Sequence, residues 1–240
     1  MRKLKRVSMI TIILLTTMTI GVMIYVRLNT YEPAVDALSI IEEVNKEKNL
    51  YIFEPEEAIA NFIFYPGGFV DERAYAILLE GLRNEGVRVF LVSMPIKLAI
   101  TNSNAADKIY NDYPSSLPWY IGGHSLGGAS ASIFLKNNKE WIDGFIMLAA
   151  YPADSSDLSS YDFKVLSIYG DKDLVLDLDK LESTKSLLPD DTIFHIITGG
   201  NHAYFGNYGE QKGDGVALIA REDQQLLTIE MIMSFILNNI

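Results

Sequence analysis

The hydrophobic positions of this chain form one long uninterrupted run, followed by short runs that alternate with helical patterns. The long run, VSMITIILLTTMTIGVMIYV, covers residues 7–26 and contains no charged residue. Twenty residues in a helix extend about 30 Å, which is the thickness of the hydrocarbon core of a bilayer. The run therefore predicts a transmembrane helix near the amino terminus.

The charges around this run predict its orientation. Residues 1–6 carry four basic side chains and no acidic one, so we expect them to stay in the cytoplasm while the rest of the chain lies outside the membrane. A cleaved signal peptide has a shorter apolar core and a cleavage site of small residues, which YVRLN at 25–29 does not provide. We expect an uncleaved, single-pass signal anchor in the cell membrane, with secretion after cleavage as the alternative.

After the anchor, apolar runs alternate with segments of helical periodicity. The runs predict strands at 60–65, 87–92, 119–121, 145–149, 165–169 and 192–197, and helices at 71–85, 125–137, 178–188 and 220–237. This alternation is typical of an α/β fold with a mostly parallel central sheet flanked by helices, in which ligands bind at the carboxyl ends of the strands. We expect a linker and a leading helix at 27–49 and one domain at 50–240.

Charge and cysteine content exclude several functions. Residues 1–27 hold five basic residues and no acid, which leaves 15 bases and 31 acids, a net charge of −16, on the rest of the chain. A region with this much negative charge repels nucleic acid and anionic lipid headgroups, and we expect no nucleic-acid partner. Because the chain has no cysteine, it forms no disulfide, thiolate metal site or cysteine nucleophile.

The strongest chemical signal is GGHSLGG at residues 122–128, between a predicted strand and a predicted helix. The glycines two positions before and after Ser125 allow a sharp strand-to-helix turn, which would expose the serine at a helix amino terminus, where negative charge is favoured. The sequence therefore predicts a nucleophile elbow. The alternative is a glycine-rich turn that cradles a phosphate.

An acid and a histidine follow at the ends of later predicted strands. Asp173, with Asp171 as the second choice, comes directly after the strand at 165–169, where a carboxylate can orient an imidazole. Of the three histidines, His124 lies inside the elbow and His195 within a predicted strand, whereas His202 lies in the glycine-rich loop after the strand at 192–197, where it is free to reach the serine. The order Ser125, Asp173, His202 predicts a serine-histidine-acid triad.

An oxyanion hole needs two backbone donors. The residue after the nucleophile, Leu126, is expected to supply one N–H group, and the loop after the first strand at 60–65 the other. In that loop we expect the donor to be Gly68, with Phe69 as the alternate. A tight turn without this role is the alternative interpretation.

These motifs resemble the α/β-hydrolase superfamily over about residues 50–240, and within it the small, capless branch that includes dienelactone-hydrolase-like proteins. The motifs that carry the resemblance are YPGGFVDERAY (65–75), GGHSLGG (122–128), SIYGDKD (167–173) and GGNHAYFGNYGEQ (199–211). Dienelactone hydrolases have a cysteine at the elbow, where this chain has Ser125. The resemblance implies an α/β-hydrolase fold and a serine hydrolase with Ser125, Asp173 and His202 as its triad.

The expected reaction is hydrolysis of a carboxylic ester or thioester through an acyl-enzyme, with no metal or organic cofactor. The substrate would be a small-molecule or lipid-like ester. Only about a dozen residues separate Tyr151 from Lys164, where larger lipases insert a cap, so we expect an open site. The alternatives are an acyltransferase acting on a lipid or cell-wall acceptor, and a catalytically inactive binding domain; the oligomeric state is left open.

Overall fold

A computed structural model describes residues 2–137 and 140–240, with side chains described from Ser8 onward. It divides the chain into two units, Met1–Thr30 and Tyr31–Ile240. The first unit is a single helix, α1 (Arg2–Asn29). Its segment Ser8–Asn29 is long and apolar enough to cross a membrane, and it extends three residues beyond the predicted run.

The second unit is built on an eight-stranded sheet. Its strands are β1 (Asn45–Glu47), β2 (Leu50–Phe53), β3 (Ala60–Tyr65), β4 (Val87–Val92), β5 (Trp119–His124), β6 (Gly144–Leu148), β7 (Lys164–Gly170) and β8 (Ile193–Ile197). The spatial order is β1-β2-β4-β3-β5-β6-β7-β8. Only the β1–β2 and β2–β4 pairs are antiparallel, which confirms the predicted mostly parallel sheet.

Helices cover both faces of this sheet. They are α2 (Val35–Ile41), α3 (Ala76–Asn84), α4 (Ala105–Asp112), α5 (Leu126–Leu135), α6 (Leu178–Thr184) and α7 (Arg221–Leu237). Strand β3 shows how one strand supplies both cores, because successive side chains point to opposite faces. Phe62 and Phe64 pack on the side of α3 and α7, whereas Ile63 and Tyr65 pack on the side of α4 and α5.

The structure differs from the sequence-based expectation mainly at 34–53. The leading helix expected within 27–49 is confined to Val35–Ile41, and the antiparallel strands β1 and β2 were not predicted. Strand β1 is exposed throughout and has the sequence NKE, so no hydrophobic alternation marks it. It is held as a strand only by pairing with β2 at the edge of the sheet.

No cap is inserted at the carboxyl edge after β6. Residues 149–163, all of them described, contain turns and bends but no helix or strand. The chain passes directly from β6 to β7, as the short spacing predicted. The carboxyl ends of β5, β7 and β8 therefore meet beneath loops alone.

Candidate active site

Ser125 lies on a strained turn between β5 and α5. Its backbone has φ 51° and ψ −121°, a conformation that is uncommon for a residue with a side chain. The N–H group of Ser125 donates to the carbonyl of Leu148 at the end of β6 (2.9 Å), which fixes the turn to the neighbouring strand. Ser125 is half-buried. This geometry matches the predicted elbow.

The two glycines of the elbow are required by the close approach of β3. A Cβ atom on Gly123 would lie 2.2 Å from the carbonyl oxygen of Tyr65, and one on Gly127 would lie 2.1 Å from the same oxygen. Side-chain carbons do not approach backbone oxygens so closely. The end of β3, and with it the loop that follows, therefore rests directly on the elbow.

Replacing Gly127 with alanine is expected to lower the free energy of unfolding by about 3 kcal/mol or more, because backbone must move to admit the methyl group. Gly213 is the matched control: it has positive φ (88°) but nothing within 4 Å of its Cβ position. Gly213→Ala is expected to cost only about 1–2 kcal/mol, from backbone strain. Denaturant titration of both variants measures the difference, and equal losses would contradict the close-contact argument.

Asp173 and His202 form a buried hydrogen-bonded pair. Oδ2 of Asp173 lies 2.8 Å from Nδ1 of His202, and the two side chains are no more than 1% exposed. Oδ1 of Asp173 accepts from the N–H groups of Val175 (2.9 Å) and Leu176 (2.8 Å), so both oxygens are engaged as acceptors. This arrangement favours a proton on Nδ1 and a bare Nε2 on His202.

The structure thus joins two of the three predicted residues directly. Nε2 of His202 is buried and has no hydrogen-bond partner among the described residues, so the hydrogen bond to Ser125 is not formed in this structure. The His202 ring nevertheless lies against the elbow, with its centroid 4.4 Å from that of His124. Such catalytic hydrogen bonds commonly tighten only when substrate is bound.

Asp171, the second choice for the acid, has a different set of contacts. Its Oδ1 accepts from the N–H group of Gly199 (2.7 Å), and its Oδ2 lies 3.4 Å from Nζ of Lys172. These contacts hold the turn after β7 to the loop after β8. The geometry therefore favours Asp173 as the partner of His202 and gives Asp171 a bracing position.

Asp214 organises the backbone around His202 and was not singled out from the sequence. Its carboxylate accepts from the N–H groups of His202 (3.3 Å), Ala203 (2.9 Å) and Gly215 (2.8 Å). Sequence reasoning missed it because it lies 12 residues after His202 in a stretch without regular structure. The loop aromatics also brace the site, since Phe205 and Tyr208 are buried.

Among the described residues, one N–H group in the loop after β3 has no acceptor. The N–H of Gly67 donates to the hydroxyl of Tyr75 (3.0 Å), and the N–H of Phe69 donates to the carbonyl of Lys97 (2.8 Å). In the described part of the chain, the N–H groups of Gly68 and Leu126 have no such acceptor. A Cβ on Gly68 would lie 3.1 Å from the Leu126 side chain, so the two predicted donors are neighbours. Phe69, the alternate donor, is already engaged.

We call the loop after β3, residues 66–70, the oxyanion loop for its predicted role. A charge cluster with buried carboxylates and partly exposed cations fixes this loop to the segment that follows β4. Nζ of Lys97 bonds Asp71 (3.0 Å) and Glu72 (2.6 Å), and Arg73 bonds Asp71 (2.8 Å). Burial alone would raise the pKa of Asp71, but hydrogen bonds from Arg73 and the charge of Lys97 lower this pKa to about 2. Lys97 also has positive φ (56°), so the cluster holds a strained turn in place.

His124, next to Ser125, is buried and neutral. The hydroxyl of Tyr75 accepts from Gly67 and lies 2.8 Å from Nδ1 of His124, which links the oxyanion loop to the elbow. Burial and the neighbouring His202 lower the pKa of His124 well below its usual 6.5, against a smaller opposing effect of the His202 backbone. A neutral ring at this position adds no second positive charge when His202 takes up a proton.

The free energy of unfolding is expected to fall as pH drops below 6.5, the ordinary pKa that His124 regains in the unfolded chain. Between that value and its depressed folded pKa, the unfolded state binds one proton more, which costs about 1.4 kcal/mol per pH unit. Denaturant titrations at pH 7.5 and 5.5 should show this loss for the wild type and a smaller one for His124→Gln. An identical pH dependence in both proteins would contradict it.

A profile of the alpha/beta hydrolase family matches residues 61–226. The match includes the elbow after β5, the acid after β7 and the histidine after β8. The chain belongs to this family. The resemblance inferred from the four motifs is thereby confirmed, and with it the hydrolase fold.

Solved structures share the fold of this chain at low sequence identity. The dienelactone hydrolase from Anabaena variabilis ATCC 29413 is 18% identical, with a TM-score of 0.60 over 80% of this chain and 94% of the other. Est1E from Butyrivibrio proteoclasticus is 15% identical, with a TM-score of 0.58 over 82% and 97%.

A soluble variant of monoglyceride lipase from Saccharomyces cerevisiae is 10% identical, with a TM-score of 0.58 over 80% of this hydrolase and 92% of the lipase. A search of curated proteins gave no match. At these identities the likeness extends to the fold, so the chemistry of this hydrolase has to be argued from its own residues.

Proposed function

We propose that this chain is a membrane-anchored serine hydrolase that cleaves a carboxylic ester or thioester through Ser125, His202 and Asp173. One observation carries the proposal. A buried Asp173–His202 pair leaves Nε2 of the imidazole without a partner, and its ring lies against the strained turn that presents Ser125. This is the arrangement that a general base next to a serine nucleophile requires.

In the proposed reaction, Oγ of Ser125 attacks the carbonyl carbon of the ester while Nε2 of His202 takes the hydroxyl proton. The N–H groups of Leu126 and Gly68 donate to the oxygen that becomes negatively charged. The tetrahedral intermediate then collapses, and His202 gives its proton to the departing alkoxide or thiolate. The product of this half-reaction is an acyl ester on Ser125.

Water completes the cycle by the same route. His202 removes a proton from water as it attacks the acyl-enzyme, and returns that proton to Oγ of Ser125 when the acid leaves. Asp173 keeps the imidazole in the required tautomer and stabilises its cationic form in both halves. Since a dienelactone hydrolase and a monoglyceride lipase share the fold, their names support an ester carbonyl as the substrate class.

The amino-terminal helix supports the anchoring part of the proposal. Its apolar segment Ser8–Asn29 has 22 residues, enough to span a bilayer, and basic residues precede it. In this arrangement the amino terminus is cytoplasmic and the hydrolase domain lies outside the membrane. Recovery of a shortened chain in the medium instead would indicate cleavage and secretion.

The full chain in detergent, supplied with p-nitrophenyl esters of short and medium acyl length, tests the proposed activity. We expect release of p-nitrophenol that a serine-directed fluorophosphonate abolishes. Repeating the assay with an alcohol acceptor separates hydrolysis from acyl transfer, because both acceptors compete for the same acyl-enzyme. A folded protein that turns over no ester would instead support an inactive binding domain.

A further inference from the structure

A run of six residues without a polar side chain, GVALIA at 215–220, interrupts the acidic surface next to His202. Within it, Val216 is 84% and Leu218 71% exposed, and Leu174 on the adjoining turn is 73% exposed. We call these three side chains the apolar rim. Single exposed apolar residues are common on protein surfaces, whereas clustered ones mark contact sites.

Backbone contacts hold the two segments of the rim next to each other. The backbone of Gly215 packs so closely on the turn after β7 that a Cβ would lie 1.9 Å from the carbonyl of Lys172 and 3.3 Å from Cγ of Leu174. The N–H of Leu218 donates to the carbonyl of Gly199 (2.7 Å). The outward position of these side chains is therefore part of the fold.

Apolar side chains of this run occupy the water-exposed positions as well as the partly buried ones. Ala217 and Ile219 are partly buried, while Val216 and Leu218 between and beside them point outward. An extended segment with one face in water normally places polar residues on that face. Here both faces are apolar, which indicates an outer environment other than bulk water.

The rim borders the proposed catalytic residues. Leu174 follows Asp173 directly, and Asp214, which precedes the run, accepts hydrogen bonds from the backbone of His202 and Gly215. Whatever contacts the rim therefore lies beside the loop that positions the histidine, at the carboxyl edge of the sheet.

Connectivity indicates what covers the rim. Tyr31 is the first residue of the domain, and its hydroxyl accepts from the N–H of Lys212 (3.1 Å) in the loop that leads to the rim. Its backbone also bonds the oxyanion loop, through Phe69 (2.7 Å) and Asp71 (3.0 Å). Because α1 ends at Asn29, two residues earlier, the chain can place no more than about 7 Å between that helix end and Tyr31.

We propose that the apolar rim contacts the bilayer in which α1 is anchored, and that the ester substrate reaches Ser125 from that bilayer. The inference rests on the proposed function for the substrate and on the proposed anchor for the membrane. Leu174, Val216 and Leu218 insert among the lipid headgroups and hold the carboxyl edge of the sheet against the membrane. The substrate class is then an ester with a lipid acyl chain.

The absence of cysteine from the natural sequence makes a direct test possible. Single variants Leu174→Cys, Val216→Cys and Leu218→Cys of the full chain are labelled with a polarity-sensitive fluorophore and reconstituted into phosphatidylcholine vesicles. Leu237→Cys is the matched control, because Leu237 is also exposed (55%) but lies far from the rim. It is the last residue of α7, and the nearby Phe235 packs against Gly144 at the opposite, amino-terminal edge of the sheet. Leu15→Cys reports insertion of α1.

We expect blue-shifted emission and quenching by spin-labelled lipid for the three rim probes and for Leu15, and neither effect for Leu237. Rim probes that behave like Leu237 while Leu15 is quenched would overturn the inference. A probe at Leu15 that is not quenched would also overturn the inference, because α1 would then not be in the bilayer. This readout needs no turnover, so it separates failure of the inference from failure of the proposed hydrolase activity.

A second measurement concerns the substrate. The double variant Val216→Ser, Leu218→Ser is expected to lower the ratio of turnover of a vesicle-embedded long-chain ester to that of a soluble short-chain ester by about tenfold, because two membrane contacts are lost. Leu226→Ser, Leu237→Ser is the control and should leave the ratio unchanged. A ratio that is the same in wild type and both variants would contradict delivery from the bilayer.

Discussion

Replacing Ser125 with alanine is expected to lower kcat for an ester substrate by about 10⁴–10⁶-fold, because the acyl-enzyme cannot form. The elbow itself should survive. Its backbone is held by the hydrogen bond to Leu148 and by the packing of Tyr65 on Gly123 and Gly127, none of which involves the serine hydroxyl. The proposed oxyanion donors, the N–H groups of Gly68 and Leu126, would remain, so the residual rate should still exceed that of the uncatalysed reaction.

Steady-state kinetics and a thermal unfolding curve check this prediction together. Ser130→Ala is the matched control, since Ser130 lies on α5, one turn after Ser125, and its hydroxyl donates to the carbonyl of Leu126 (2.6 Å). It should retain kcat within about tenfold. If Ser125→Ala keeps more than a tenth of the wild-type kcat while folded, another nucleophile is at work.

Replacing Asp173 with asparagine is expected to lower kcat by about 10⁴-fold with little change in stability. The N–H groups of Val175 and Leu176 both donate to Oδ1, so the oxygen of the new amide must stay at that position. Its NH₂ group then faces Nδ1 of His202 and donates to it. The proton of the imidazole moves to Nε2, which can no longer take a proton from Ser125.

Asp171→Asn is the comparison for this variant. Asp171 lies on the same turn but accepts from Gly199 and pairs with Lys172, with no bond to the imidazole. Its replacement should change kcat by less than about tenfold, since only bracing contacts are altered. Equal losses in the two variants would show that the turn as a whole is needed and not the tautomer that Asp173 selects.

The sequence predicted the parts of this site that are local in the chain. The elbow is specified by glycines two residues on either side of Ser125, and each of the predicted catalytic residues follows an apolar strand, which short-range patterns can identify. The central strands were predicted for the same reason, because they are buried on both faces and appear as continuous apolar runs. Strand β1, at the edge of the sheet, is exposed and lacks such a signal. Strand β2 is buried and apolar, but its run LYIF has only four residues and was not assigned as a strand from the sequence.

What the sequence could not provide depends on contacts between distant segments. Two aspartates stand two positions apart on the turn after β7, and only the fold brings Asp173, and not Asp171, to the histidine 29 residues later. Likewise, the engagement of the Phe69 N–H by Lys97, which leaves Gly68 as the available donor, follows from a strained turn 28 residues downstream. Local propensity carries no information about such pairings.

The support around His202 illustrates the same point. Tyr75 lies where the sequence predicted an ordinary amphipathic helix, yet its hydroxyl connects Gly67 of the oxyanion loop to His124. Burial raises the pKa of this hydroxyl, so it remains protonated and able to donate. Asp214 similarly looks like a solvated loop acid in the sequence, but it accepts from four backbone N–H groups in the described chain, including that of His202.

The central claim is that Ser125 is activated by His202, and covalent labelling tests it most directly. The full chain in detergent is treated with a fluorophosphonate, and the modified residue is located by mass spectrometry in wild type, Ser125→Ala and Asp173→Asn. We predict one adduct per chain on Ser125, none in Ser125→Ala and much slower labelling in Asp173→Asn. A folded wild-type protein that stays unlabelled, or that carries the adduct on another serine, would contradict the account.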